Sequence, residues 1–126
     1  MKIVSKSASI AGKTLTLEVG RFAEQASAAV LAKYGDTMVL ATVTAASRET
    51  TLDYFPLSVE FVEKHYAGGR ISSSKFIKRE SKPTDEAVLT GMLIDRSIRP
   101  LFRKNLRIPY RLSLVFCLLT RKMIRM

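Results

Sequence analysis

The chain has 126 residues, of which 47% are hydrophobic and 25% charged, a composition typical of globular domains and unlike that of disordered or fibrous proteins. Its single cysteine, Cys117, cannot form an intrachain disulfide, which favours a reducing compartment. No apolar run approaches the roughly 20 residues that span a bilayer, and the amino terminus lacks the apolar core of a secretory signal. We therefore expect a cytoplasmic protein of one domain, with no membrane partner.

The net charge of +10 is concentrated towards the carboxyl terminus. Residues 1–102 include 14 basic and 11 acidic side chains, a net charge of +3, whereas residues 103–126 include 7 basic side chains and no acidic one. A basic segment of this kind can bind phosphates or an anionic membrane surface. It can equally be a sequence that was never selected to fold.

The amino-terminal twenty residues predict a β-hairpin. Residues 3–10 form the first strand, and Gly12-Lys13 provides a turn. Polar and apolar side chains then alternate over residues 14–19, as expected for a strand with one face buried.

A second hairpin is predicted to join residues 26–34 to residues 37–45. The turn is Gly35-Asp36, because glycine tolerates a positive φ and aspartate can bond its own backbone. The alanine-rich stretch 26–32 is also compatible with a helix, and we interpret it as strand.

The middle of the chain changes from strand to loop to helix. Residues 55–66 alternate apolar and polar side chains and predict a half-buried strand, whereas residues 67–83 have no period and predict an exposed loop. Thr84 is a suitable N-cap for the helix that follows. That helix should end before Pro100, because proline disfavours helical geometry at the residue that precedes it.

The loop after residue 67 places cations around one aromatic side chain. Phe76 is surrounded in sequence by five basic residues: Arg70, Lys75, Lys78, Arg79 and Lys82. Cations neutralise backbone phosphates and an aromatic face stacks on an unpaired base, which is the combination that binds single-stranded nucleic acid without reading its sequence. The alternative is a solvated loop whose Phe76 packs into the core.

Arg96 and Arg99 lie three residues apart and therefore share a face of the predicted helix. Two guanidinium groups on one face can hold phosphate oxygens in a bidentate manner. The alternative is structural pairing with Asp95, Asp85 or Glu86, and spacing alone favours that alternative.

Two segments carry a family resemblance. FPLSVEFVEKHYAGGRI (55–71) and FIKRESKPTDEAVLTGMLIDRSIRPLF (76–102) resemble the first core domain of bacterial polynucleotide phosphorylase, also called polyribonucleotide nucleotidyltransferase. The resemblance extends over residues 3–102, and ribonuclease PH is less similar. It implies an α+β fold of the ribonuclease PH-like (ribosomal protein S5 domain 2-like) type, in which helices pack on a mixed sheet. We expect this domain to be incomplete in the present chain. It also implies two such domains in a full chain and a homotrimeric ring around a central channel.

The implied reaction is 3′-to-5′ phosphorolysis of RNA. Inorganic phosphate attacks the terminal phosphodiester and releases nucleoside diphosphates, with magnesium assisting and with catalysis mostly by positioning and charge stabilisation. In the family the catalytic and phosphate-binding residues belong to the second core domain, so we expect no catalytic or metal-binding residue here and an isolated chain without activity. The implied partners are single-stranded RNA and, for the intact family protein, the components of a degradosome. The alternative is a non-catalytic RNA-binding or ring-assembly module.

The family's channel-neck loop, two aromatic residues followed by two arginines, matches Phe76, Ile77, Lys78 and Arg79. Ile77 and Lys78 depart from that pattern, so one stacking surface and one planar guanidinium are missing and we expect weaker RNA binding through the loop. The RNA-binding residues expected from the loop and the helix together are Phe76, Lys78, Arg79, Lys82, Arg96 and Arg99.

The resemblance ends abruptly at Phe102. Residues 103–126 offer neither the valine-rich strand nor the acidic stretch with which the family continues. They can be back-translated so that a shifted reading frame gives a family-like acidic continuation. We therefore interpret residues 1–102 as a partial first ribonuclease PH-like core domain and residues 103–126 as a frameshifted, non-native tail.

Overall fold

The computed structural model describes residues 2–64 and 83–118. These residues form six strands, one α-helix and a short 3₁₀ helix over Arg99–Leu101. In chain order the elements are β1 (Val4–Ile10), β2 (Lys13–Val19), β3 (Ala28–Tyr34), β4 (Thr37–Ala45), β5 (Leu57–Glu63), α1 (Asp85–Ile98) and β6 (Tyr110–Leu118). The α+β class and the mixed sheet are confirmed.

The strands form one sheet in the order β1-β2-β3-β4-β6-β5. All neighbours are antiparallel except β5 and β6, which are parallel. Both predicted hairpins are present. The first turn lies one residue earlier than predicted, at Ala11 and Gly12, whose φ angles of 50° and 75° are both positive. The second turn is at Gly35, with a φ of 59°, as predicted.

One face of the sheet is apolar, and α1 packs on its β5 side. The register aligns Val43 with Leu112 and Leu112 with Val59, so these side chains share that face. The helix backbone is close to β5 at Gly91, where an added Cβ atom would lie in ordinary van der Waals contact, 3.6 Å from the carbonyl oxygen of Val59. Ala87, one turn earlier, is 3% exposed. Small residues therefore let the helix backbone contact β5.

Both ends of α1 agree with the sequence prediction. The Thr84 hydroxyl accepts a hydrogen bond from the Ala87 amide at 3.2 Å, which satisfies one of the free amides of the first turn. The helix ends at Ile98, before Pro100. Among residues 2–64 and 83–118, no helix has the length and apolar character needed to cross a membrane.

The structure differs from the sequence analysis after Phe102. No strand is predicted there, whereas β6 lies between β4 and β5 and pairs with both. The physical reason is an alternation at the start of β6, where Tyr110, Leu112 and Leu114 alternate with Arg111 and Ser113. That alternation gives one apolar face, which continues the apolar face of the sheet.

Candidate functional site

The predicted RNA-binding residues divide into two groups. Arg96 lies in the last turn of α1 and Arg99 is its C-cap residue, so both positions are described. Phe76, Lys78, Arg79 and Lys82 lie outside the described residues, as does the departure from the family pattern at Ile77. The geometry of the candidate site therefore concerns the carboxyl end of α1 and the loops around it.

The Arg99 guanidinium connects the end of α1 to the start of β5. Its Nε and Nη2 atoms donate to the two carboxylate oxygens of Asp95 at 3.0 and 2.7 Å. Its Nη1 atom donates to the carbonyl oxygen of Phe55 at 2.9 Å, and Nη2 also donates to that of Leu57 at 3.3 Å. The planar fork of the guanidinium is thus occupied by a carboxylate in the bidentate arrangement typical of arginine.

Arg96 differs from Arg99 although the two residues are only three positions apart. It is exposed, and within the described ranges no hydrogen bond or ion pair involves its guanidinium. The pairing of Asp95 with a neighbouring arginine, the alternative favoured by spacing, is present for Arg99. Arg96 is therefore the arginine of this pair that has its donors available for a phosphate.

An aromatic cluster supports this end of the helix. The ring of Phe55 lies 4.7 Å from that of Phe102 and 6.0 Å from that of Tyr110, and the latter two rings are 5.9 Å apart, measured between centroids. These are the tilted arrangements that aromatic pairs prefer. The Arg99 guanidinium carbon lies 5.9 Å from the Phe55 centroid, close enough for a cation–π contact. Sequence reasoning missed this cluster, since its members come from three separate segments.

A cavity of about 260 Å³ adjoins the cluster. Its lining residues share an apolar character and are Val43, Leu57, Ile98, Leu101, Phe102, Tyr110 and Leu112. A cavity with this lining offers no ion pair to a phosphate or a nucleotide, so we do not place RNA chemistry there.

The family's magnesium ion does not fit the described part of the chain. Residues 2–64 and 83–118 contain no group of three or more histidine, cysteine, aspartate or glutamate side chains that could hold a metal ion. Two carboxylates near the helix and β5 are neutralised by arginine: Asp95 pairs with Arg99, and Glu60 pairs with Arg111. Magnesium prefers several oxygen ligands around it, which neither carboxylate provides alone.

Comparison with known proteins places the chain in a family. Residues 11–122 match the 3′ exoribonuclease family, domain 1, and the chain belongs to that family. Three similar curated proteins are the polyribonucleotide nucleotidyltransferases of Chloroflexus aurantiacus (60% identical over 105 residues), Roseiflexus castenholzii (55% over 107) and Staphylococcus epidermidis (55% over 97). The aligned residues are 82%, 84% and 77% of this chain but only 14% of each relative.

These findings confirm the family resemblance read from the sequence. The family match extends beyond Phe102 and includes β6, whereas the resemblance quoted above stops at Phe102. The chain corresponds to the first ribonuclease PH-like domain and spans about 14% of the length of the curated relatives it matches.

Proposed function

We propose that this chain is the first core domain of an enzyme that degrades RNA from its 3′ end by phosphorolysis, releasing nucleoside diphosphates during mRNA turnover and RNA processing. The observation that carries the proposal is the match of residues 11–122 to domain 1 of the 3′ exoribonuclease family, together with 51–60% identity to polyribonucleotide nucleotidyltransferases. Such an enzyme would work in the cytoplasm.

In this proposal the chain supplies scaffold and RNA contacts, and the chemistry lies elsewhere in the enzyme. Inorganic phosphate, as the co-substrate, and magnesium would bind to parts of the relatives that this chain does not cover. The isolated chain would therefore have no phosphorolytic activity.

RNA contacts of this domain would come from Arg96 and from the loop residues Phe76, Lys78, Arg79 and Lys82. Arg96 supports the proposal through its exposure and its unpaired guanidinium among the described residues. Arg99, which is also expected to contact RNA, can do so with the 42% of its side chain that remains exposed. Because the Arg99 guanidinium donates hydrogen bonds to Asp95 and to the carbonyl oxygens of Phe55 and Leu57, its main role is to position the end of α1.

Assembly into a homotrimer, and association with a degradosome, belong to the same proposal. The outer face of α1 supports an assembled state, because Leu89 and Leu93 are 65% and 67% exposed and Leu101, in the 3₁₀ helix, is 83% exposed. Large exposed apolar side chains that are contiguous mark interaction sites more often than free surface.

The frame-shifted origin of residues 103–126 is a separate proposal. It is supported by the absence of acidic residues after Asp95. The family match, which continues to residue 122, counts against it. The presence of β6 concerns how these residues fold and not which frame encodes them. Resequencing the genomic locus tests it: a lost nucleotide near the Phe102 codon is expected, and an uninterrupted frame without downstream core-domain coding would contradict it.

The activity is tested with a chimera. Residues 1–102 of this chain replace the corresponding segment of the Chloroflexus aurantiacus enzyme, and ADP release from poly(A) is measured with and without phosphate. We expect phosphate-dependent release by the chimera and none by the 126-residue chain alone. A folded chimera without phosphate-dependent release would contradict the proposed function, and ADP release by the isolated chain would contradict its inactivity.

A further inference from the structure

Strand β1 is the outer strand of the sheet. It pairs with β2 on one side, and among the described residues no strand lies on its other side. Ile10 and Lys13 close the two-residue turn between β1 and β2, so they form a hydrogen-bonded pair. Hydrogen-bonded and non-hydrogen-bonded pairs alternate along an antiparallel ladder. The backbone amides and carbonyls of Ser5, Ser7 and Ser9 therefore point away from β2, toward the free edge.

The apolar face of the sheet is exposed beside this edge. Helix α1 packs on β5, at the opposite end of the strand order. Val4 and Ile10 on β1 are 54% and 50% exposed, and Leu17 and Val19, which lie on the same face of β2, are 42% and 49% exposed. Contiguous apolar side chains of this kind mark interaction sites, and an outer strand with free backbone groups can pair with a strand of another chain.

The sequence of β1 is complementary to itself in one antiparallel register. With Ser7 opposite the partner's Ser7, all seven residues of β1 are paired. Val4 then lies opposite the partner's Ile10, and Lys6 lies opposite the partner's Ala8. These are non-hydrogen-bonded pairs, in which side chains approach each other most closely. The register therefore places apolar side chains together, and neither lysine lies directly opposite the other.

The two neighbouring registers are less favourable. A pairing centred on Lys6 places this lysine opposite the partner's Lys6, and like charges directly opposite each other destabilise a ladder. A pairing centred on Ala8 leaves Val4 and Ser5 without an opposite residue in β1 and places Lys6 opposite the partner's Ile10. Lysine on an outer strand commonly prevents association. Only the register centred on Ser7 combines full pairing with separation of the lysines.

We propose that β1 is an interface between two copies of this chain, which pair edge to edge in the antiparallel register centred on Ser7. The contact is isologous, because both copies contribute the same residues. It differs from the contacts of the homotrimer proposed above, which are heterologous and close a ring. All of its residues belong to β1, so neither RNA nor any residue after Phe102 takes part. An interface of one strand is smaller than the about 1,600 Å² of a standard interface, so the dimer is weak and reversible.

The test is sedimentation velocity of the full 126-residue chain over a range of micromolar concentrations, without RNA. Ala8→Glu places a carboxylate opposite the partner's Lys6, twice in the symmetric dimer, and should tighten association about fivefold. Ala8→Lys places like charges there and should weaken association about fivefold. Thr14→Glu and Thr14→Lys are the matched controls, because Thr14 is exposed on the other face of β2, and both should associate within about twofold of the parent.

Ser7→Pro tests the backbone pairing. It removes the amide at the centre of the proposed ladder without removing a hydrogen bond to β2, so association should be lost, whereas Ser7→Thr should associate like the parent. Amide hydrogen exchange measured by NMR gives a second readout, because the amides of Ser5 and Ser9 should exchange more slowly as the protein concentration rises. Circular dichroism and thermal melting of each variant establish that the fold is retained.

Three outcomes would overturn the proposal. The first is a chain that stays monomeric over the whole concentration range, and the second is an equal change in affinity for Ala8→Glu and Ala8→Lys. The third is association that persists in Ser7→Pro but is lost in Leu17→Ser, which would indicate that the copies pack through their apolar faces and not through their edges.

Discussion

Replacement of Arg99 by alanine should destabilise the fold, and the same replacement at Arg96 should not. Arg99→Ala removes a bidentate ion pair with Asp95 and two hydrogen bonds to the carbonyl oxygens of Phe55 and Leu57. An exposed i,i+4 pair contributes about 0.3–0.5 kcal/mol. Because the Arg99 side chain is 42% exposed, the two carbonyl contacts together are discounted to about 1 kcal/mol. The expected loss is thus about 1.5 kcal/mol.

The assay is urea unfolding followed by circular dichroism, with the free energy of unfolding extrapolated linearly to water. Arg96→Ala is the matched control, because it removes the same side chain from the same end of the helix and should cost less than about 0.5 kcal/mol. Arg99→Lys keeps the charge but not the planar fork, so it should recover less than half of the loss. Equal destabilisation by Arg99→Ala and Arg96→Ala would refute the assignment of a positioning role to Arg99.

Three further changes test the helix start, one turn and the central strand by the same unfolding measurement. Thr84→Ala should cost about 1 kcal/mol by removing the N-cap, and Thr84→Ser should restore most of it; no difference between them would argue against the cap. Gly20→Ala should lower the free energy of unfolding by about 2 kcal/mol and Gly12→Ala by about 1 kcal/mol, because both residues have a positive φ but only at Gly20 would the new Cβ atom lie 3.0 Å from a backbone oxygen. A larger loss for Gly12→Ala than for Gly20→Ala would contradict this. Leu114 lies on the apolar face of β6, so Leu114→Asp should lower the free energy of unfolding by more than about 2 kcal/mol, whereas Leu114→Ile should lower it by less than about 1.5 kcal/mol. Unchanged stability of Leu114→Asp would contradict the register of β6.

Local signals predicted most of the elements. Alternation and the Gly35-Asp36 turn define the second hairpin, and the N-cap Thr84 with Pro100 bounds α1 to within one residue. These features depend on neighbours in the sequence, which is why they can be read from it. The ends of β5 were less accurate: the strand covers Leu57–Glu63, so residues 55, 56 and 64 of the predicted strand 55–66 lie outside it, and residues 65 and 66 are not among the described residues.

Features that depend on distant residues were not predicted. The i,i+4 spacing of Asp95 and Arg99 favours their pairing over that of Asp95 with the adjacent Arg96. It does not indicate that the Arg99 guanidinium also reaches the carbonyl oxygens of Phe55 and Leu57 at the start of β5. The aromatic cluster and the insertion of β6 between β4 and β5 likewise depend on contacts between residues that are distant in the sequence. The sequence shows an apolar strand pattern but not the partners that the strand will find.

The position of β6 has a consequence for synthesis of the protein. Strands β1 to β4 form a meander of sequential neighbours, which can assemble as each strand leaves the ribosome. β5 instead pairs with the sheet only through β6, and 46 residues separate the end of β5 at Glu63 from the start of β6 at Tyr110. Until Tyr110–Leu118 has emerged, the nascent chain therefore carries β5 with only α1 packed on it and with no strand partner, and chaperones would encounter it in that state.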